Sequence, residues 1–383
     1  MHTEAGTALT TLTTAFEHTF GRLGQDSSHD RRAVVMSWPA VPVELIRAAQ
    51  LTPVVVRGTA DPTPAADAHL EPDVFPARIR HLVDAALAGR LAHVTCVVIP
   101  RTSDPDYKAF LYLREFERTG VTSALPPVHL FDLLQSDDDG VRRYDAASTS
   151  ALRAAIGALS GHAPTDDDIR QAIADANEAR AAARRLDSLR RGSPRVSGAE
   201  AFPLIGAFWQ MAPRDYVRLA EQAAAGIAAR PPLTGPRVLL AGAPVDTPAL
   251  HMAIESHGAV VVAELSPWTL GAAGPDIPCD DAPTTALADA YRAGTVGPRM
   301  PVSALIRRID TLLDHVDATV ISLPPDDTVF GWDYPRLRDV LSVRQMPHAC
   351  LRLDPCRPLS ADAHSALADL ARAAARRQEA GRG

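Results

Sequence analysis

Short apolar runs rich in Val, Ile and Leu recur along the chain, separated by longer stretches in which apolar residues return every three or four positions. A strand buried on both faces shows no polar alternation, whereas a helix lying on a sheet keeps one apolar stripe. The pattern predicts strands at 33–36, 53–57, 94–99 and 128–131, with helices at 42–50, 72–88 and 105–118. After residue 234 the series resumes, with strands at 237–241, 259–263, 318–322 and 349–353 and helices at 248–256, 284–293, 302–315, 335–342 and 361–377. Strands alternating with helices indicate parallel sheets covered by helices.

The two series are loose copies of one layout. Ala33-Val-Val-Met36, a loop, a helix beginning near Val43 and then Pro53-Val-Val-Val56 corresponds to Val238-Leu-Leu-Ala241, a loop, a helix beginning near Ala249 and then Ala259-Val-Val-Val262. Two such α/β units facing one another create a cleft lined by strand carboxyl ends, where open parallel sheets bind ligands. The domain boundaries expected are an N-terminal helical segment at 1–30, a first α/β domain at 31–160, a helical connector at 161–233 and a second α/β domain at 234–383. In the connector, residues 163–191 predict a long polar helix entered through Pro164-Thr165, with Asp168 placed for a capping box. Its apolar face is thin, and Arg184, Arg185, Arg190 and Arg191 near its end are expected to form a solvated, dipole-compensating face.

Composition narrows the chemistry. At 383 residues the chain exceeds the size of a single growing core, and 46% hydrophobic with 5% aromatic content makes Ala, Val and Leu the core formers. A formal charge of −7 gives no extended surface for nucleic acid. Lys108 is the single lysine, so a Gly-Lys-Ser/Thr phosphate loop is excluded. No run approaches the roughly eighteen apolar residues of a membrane span, and the expected location is cytoplasmic. The cysteines, Cys96, Cys279, Cys350 and Cys356, form no C-x2-C pair; a structural zinc site is not expected, and Cys96 and Cys350, inside apolar runs, read as inert buried thiols.

Three stretches resemble the family of 2-hydroxyacyl-CoA dehydratase and benzoyl-CoA reductase subunits. Pro42-Val-Glu-Leu-Ile-Arg-Ala-Ala49 resembles its Pro-x-Glu-Leu-Ile-x-Ala-Ala segment, and Val97-Val-Ile-Pro-Arg-Thr-Ser-Asp104 is similar to a strand ending in Ile-Pro followed by a Cys-Asp turn. The third joins 165–185, with Asn177-Glu-x-Arg180, to Pro236-Arg-Val-Leu-Leu-x-Gly-x-Pro244, Ile254-Glu255 and Gly258-Ala259. The resemblance runs from about residue 31 to 375. It implies an α/β fold of two flavodoxin-like (Rossmann-like) parallel-sheet domains facing a central cleft, pairing with a homologous subunit, an acyl-CoA thioester substrate, an iron-sulfur cluster held by cleft cysteines, and an ATP-dependent activator that supplies electrons. The cysteine positions are where this chain departs: Trp38 with Ser37, then Pro76, then Ser103 stand in their places, and Pro324, Pro325, Asp326 and Asp327 follow the matching strand of the second half. Iron in such clusters binds thiolate in preference to hydroxyl or carboxylate. No metal or cofactor is therefore expected on this chain, and a cluster is expected on a cysteine-containing partner subunit.

Within that frame Ser37, Glu44, Ser103 and Asp104 are the candidate catalytic residues, and Trp38, Asp326 and Asp327 the candidate substrate-binding ones. Ser37 and Ser103 follow strands and either donate hydrogen bonds to a substrate or cap helices. Glu44 lies in a first helical turn, where the dipole favours a carboxylate regardless of role. Trp38 either stacks on a ligand or fills the core, and Asp326 and Asp327 act as acid and base or make a turn and cap. His251, His315 and His348 have no partner at ligand spacing. The leading expectation is a cluster-free subunit of a heteromeric dehydratase-like or reductase-like enzyme; the rivals are a non-redox enzyme reusing the cleft and a non-catalytic interaction or regulatory protein.

Overall fold

Eight strands form two four-stranded sheets among the residues described by a computed structural model of the chain, which are all but 1, 27–29, 72, 123–124, 137, 280–281, 295–298, 326, 328, 355 and 381–383. The first sheet contains β1 (Ala33–Met36), β2 (Thr52–Val55), β3 (Cys96–Pro100) and β4 (Val128–Phe131) in the order β2-β1-β3-β4. The second contains β5 (Arg237–Gly242), β6 (Val260–Glu264), β7 (Ala318–Leu323) and β8 (His348–Arg352) in the order β6-β5-β7-β8. Every pairing is parallel. The fold is α/β, and both orders are the flavodoxin-like one, with the switch point between β1 and β3 and again between β5 and β7. Pro53 is tolerated because β2 is an edge strand, and that edge is covered at Val55, whose N–H donates to Gln210 Oε1 at 3.0 Å and whose carbonyl accepts from Gln210 Nε2 at 3.0 Å.

The helices are α1 (His2–His18), α2 (Val43–Ala48), α3 (Ala77–Leu87), α4 (Asp104–Arg118), α5 (Asp139–Ser160), α6 (Asp166–Ser188), α7 (Gly198–Gly206), α8 (Pro213–Ala228), α9 (Ala249–Glu255), α10 (Pro283–Gly294), α11 (Val302–Leu313), α12 (Phe330–Val343) and α13 (Ala361–Ala380), with short helical turns besides. Alternate strand residues sort them into layers. Val35, Val54, Val97 and Ile99 face α3 and α4 through Ile79, Leu82, Leu113 and Phe116, closing the outer face of the first sheet. Leu239, Val260, Val262 and Ile321 meet Ile309 of α11 and Leu337 and Leu341 of α12 on the outer face of the second. The other faces, with Val34, Met36 and Val98 on one side and Val238, Leu240 and Val261 on the other, belong to one shared core with Phe16, Ile173, Phe202 and Trp209 from the intervening helices.

The connector departs from expectation. The capping box is present, with Thr165 and Asp168 bonded reciprocally at the start of α6, yet α6 is a core helix. Ile169, Ile173, Ala176, Ala179, Ala183 and Leu186 are buried, because a face of alanines lets neighbouring helices approach closely. Arg190, expected on a solvated face, is 1% exposed. Helix α5 was not expected, and α12 begins at Phe330 rather than at Pro335, which lies inside it.

Candidate functional site

Where β1 and β3 part, their following loops open the crevice of the first sheet. Ser103 caps α4, its Oγ accepting from the Asp106 amide at 3.3 Å, and so fixes Asp106 in the first turn facing back over the strands. The Asp106 carboxylate, fully buried, accepts from Thr102 Oγ1 and Ser103 Oγ, both at 2.6 Å, and from Ser37 Oγ at 3.4 Å. Its counter-ion is Arg78 at the start of α3, which reaches both oxygens at 2.5 and 3.2 Å. A forked guanidinium on a carboxylate held by three hydroxyls is a rigid arrangement. The Arg78 guanidinium lies 4.4 Å from the centre of the Trp38 ring.

The second half closes onto this crevice with the loop after β5 and the turn after β6. Asp246 is buried; its Oδ1 accepts from Trp268 Nε1 at 3.1 Å and its Oδ2 from the Gly58 amide, beyond β2, at 3.2 Å. Arg57 donates from Nε to the Asp246 carbonyl at 3.0 Å and from Nη1 to the carbonyls of Phe16 and Glu17 at 3.3 and 2.9 Å. Trp38 and Trp268 meet edge to face at 6.4 Å. Burial pushes the Asp246 carboxyl above the usual carboxylate range, against the pull of Arg78 and of the two hydrogen bonds. Trp38 Nε1 is buried with no partner among the described residues. The two halves thus meet in a polar seam at strand carboxyl ends, two arginines against two aspartates beside two indoles set edge to face.

The expected site residues divide. Ser37, Trp38 and Ser103 come together in the seam; Ser37 caps no helix but donates to Asp106, while Ser103 both caps and donates. Asp104 lies on the exposed side of the α4 first turn. Glu44 is buried elsewhere, between Arg180 Nη2 at 2.5 Å and the Tyr291 hydroxyl at 2.9 Å. Asp327 accepts from the Gly331 amide at the start of α12, and Asp326 lies outside the described residues. Pro76 is the N-cap residue of α3, two positions before Arg78. Sequence reasoning missed Arg57, Arg78, Asp106, Asp246 and Trp268. The spacing Ser103-x-x-Asp106 was the available signal for Asp106.

Cys96 is buried in β3 with its thiol pushed up to about 12 by burial, whereas Cys350, expected to be buried, is only half-buried, its thiol still raised by what burial it has. Cys356 lies close enough to the seam for Asp246 and Arg57 to act on it; burial first, then Asp246 and Asp354, hold it protonated. A second buried cluster sits at the end of β6, where Glu264 accepts from Arg190 Nη1 at 2.6 Å and its Oε2 lies 3.0 Å from His251 Nε2. His251, read from sequence as having no partner at metal-ligand spacing, is hydrogen-bonded to Glu264 there. A cavity of about 900 Å³ lies at the opposite, amino-terminal ends of β5 and β7, lined by Arg237, Asp317, Arg344 and Arg377. Its Arg237 and Arg344 are already ion-paired, to Asp317 and to Asp310 and Asp314, and it stands away from the crevices where such sheets bind ligands.

No helix among the described residues is long and apolar enough to cross a membrane, and among them no group of three or more His, Cys, Asp or Glu side chains is placed to hold a metal ion. No curated protein matches the chain. A family model described as 2-hydroxyglutaryl-CoA dehydratase, D-component, matches residues 40–360, which takes in most of both sheets and all of the seam but its β1-loop residues Ser37 and Trp38. With the sheet order, the repeated halves and this match over most of its length, the chain belongs to the 2-hydroxyglutaryl-CoA dehydratase D-component family.

Proposed function

We propose that the chain is the cluster-free member of a heteromeric acyl-CoA dehydratase-like or reductase-like enzyme, shaping an acyl-CoA thioester site beside a homologous subunit that carries the iron-sulfur cluster. The observation that carries this is the donor set of the seam. Three segments in which the resemblance places cysteines supply Trp38 with Ser37, Arg78 just after Pro76, and Ser103 with Asp106, and these side chains bond or stack on one another. Indole, guanidinium, hydroxyl and carboxylate do not fit an iron-sulfur cluster, whose iron needs thiolates. Cys356, a thiol on which the seam charges Asp246 and Arg57 act, is held in its protonated form. The seam is instead suited to orient a polar group and exclude water, with Ser37 and Ser103 holding Asp106 against Arg78 and Trp38 forming an apolar wall. An ATP-dependent activator would then serve the partner subunit.

Purification of the native complex with iron and acid-labile sulfide counted per subunit tests this. The expected result is iron on the partner alone, with the isolated chain colourless after anaerobic reconstitution. Stoichiometric iron on the isolated chain, lost on changing one of its cysteines to serine, would overturn it. Trp38→Ala tests the shared site: turnover per assembled complex should fall further than assembly or melting temperature does. A core Trp alone would cost about 3–5 kcal/mol of stability and lower activity only in step with folded protein; equal turnover per complex would remove the chain from the active site.

A further inference from the structure

Asp246 is a carboxylate of the second half held in a nest of donors drawn from both. The Gly58 amide and Trp268 Nε1 each donate to one oxygen. A Cβ on Gly58 would stand 2.8 Å from Asp246 Oδ2 and 2.8 Å from the Arg78 amide, so glycine alone lets a carboxylate rest on this main-chain N–H. Arg57, 9% exposed, spends its hydrogen bonds on main-chain carbonyls, and Asp246 is the strongest opposing charge acting on it. Arg78 is already engaged by Asp106. Asp246 is thus the largest opposing charge for Arg57, with Glu17 and Asp61 also acting on it.

Two buried donors have no partner among the described residues: Trp38 Nε1, on the ring that meets Trp268 edge to face, and Thr247 Oγ1, in the residue after Asp246. The Asp246 loop is irregular chain between β5 and α9, and Ala243, Pro244, Thr247 and Pro248 in it are only half-buried. The loop sinks at two adjacent residues, Val245 into the shared core and Asp246 across the seam toward Gly58 and Arg57 of the other half.

We infer that the place occupied by the Asp246 carboxylate is a binding site for the carboxylate of a small organic acid, and that Asp246 fills it as an internal stand-in while the seam is closed. This rests on the reading of the seam as the ligand site and names the chemistry it takes. The ligand anion would accept from the Gly58 amide and Trp268 Nε1, face Arg57, and find Trp38 Nε1 and Thr247 Oγ1 free to bond the rest of the molecule. A latch closed about nine-tenths of the time weakens external binding about tenfold.

The test uses the full chain and acetate or formate as probe, with chloride at equal ionic strength as control, read by tryptophan fluorescence, to which Trp38 and Trp268 of the seam contribute. Wild type should give a saturable response to acetate, and Asp246→Ala should bind formate roughly tenfold more tightly than wild type does. Formate about tenfold above its Kd should raise the melting temperature of Asp246→Ala by about 2 °C. Gly58→Ala should abolish the response. Where Asp246→Ala does not fold, Asp246→Ser, which keeps a polar side chain but is too short to fill the place of the carboxylate, should show the same tightening. A wild type that never responds, or variants that bind carboxylate no better than chloride, would overturn the inference and leave Asp246 a structural tie. The iron count and the Trp38→Ala turnover do not depend on this outcome, so the carboxylate site can fail while the proposed function stands.

Discussion

Two carboxylates are buried at strand carboxyl ends, Glu264 at the end of β6 and Asp246 in the loop after β5, and their surroundings drive them in opposite directions. Glu264 is bonded directly to the Arg190 guanidinium and to His251, and these charges hold its carboxyl down at about 2 in spite of complete burial. Asp246 is bonded to a neutral amide and a neutral indole, with Arg78 and Arg57 acting only as neighbouring charges, and burial wins. A buried carboxylate touching its counter-ions is a fastener, since removing either partner strands the other. One held by neutral donors in a low-dielectric seam is replaceable by anything that satisfies those donors.

The comparison breaks most visibly at Glu264. Glu264→Ala leaves Arg190 buried with only Asp187 opposite it and His251 without its acceptor, an expected loss of about 3–5 kcal/mol in chemical denaturation. A loss under about 1 kcal/mol would mean that the cluster is no fastener and that the two carboxylates do not differ in kind.

Acid sharpens the same contrast. The folded Glu264 carboxyl is depressed to about 2 from an ordinary value of 4.5, so the unfolded chain binds more protons between these values. Its contribution is present above about 4.5 and is lost as pH falls toward about 2, a span worth about 3 kcal/mol. Stability measured against pH in wild type and Glu264→Gln should diverge in that window; parallel curves would contradict the assignment.

The architecture was legible because it is written in local periodicity. Runs such as Val238-Leu-Leu and Val97-Val-Ile place strands within a residue or two, and Thr165-x-x-Asp168 marks the start of α6. The depth of α6 was not legible, since Ala176, Ala179 and Ala183 look indifferent to water and become core only when other helices close on them. The site shows the same limit. Ser37, Trp38 and Ser103 could be placed because they follow strands, but Gly58 and Asp246 are 188 positions apart and nothing local in either announces the other. Arg78 and Asp106 each look like ordinary residues of a first helical turn. Their pairing exists only once β1 and β3 lie side by side with α3 and α4 above them.

The smallest expected effect is the most discriminating. In Asp246→Asn the amide keeps the shape of the carboxylate and can still accept from Trp268 Nε1, while the charge that burial disfavours is gone. Because the folded Asp246 carboxyl is raised, the native state binds more protons than the unfolded one just above the ordinary carboxylate value of 3.8. Stability from this group therefore falls as pH rises through that window, the reverse of Glu264, and by neutral pH the charged carboxylate is a net cost. Asp246→Asn removes that cost, but it loses some attraction to Arg57 and Arg78 and turns its NH2 toward the Gly58 N–H, so stability at neutral pH should change by only about 1 kcal/mol. Denaturation at pH 7 and pH 4 in wild type and variant measures both quantities. A neutral-pH loss as large as that of Glu264→Ala would make Asp246 a second fastener, and a carboxylate so firmly tied could not yield its place to a ligand.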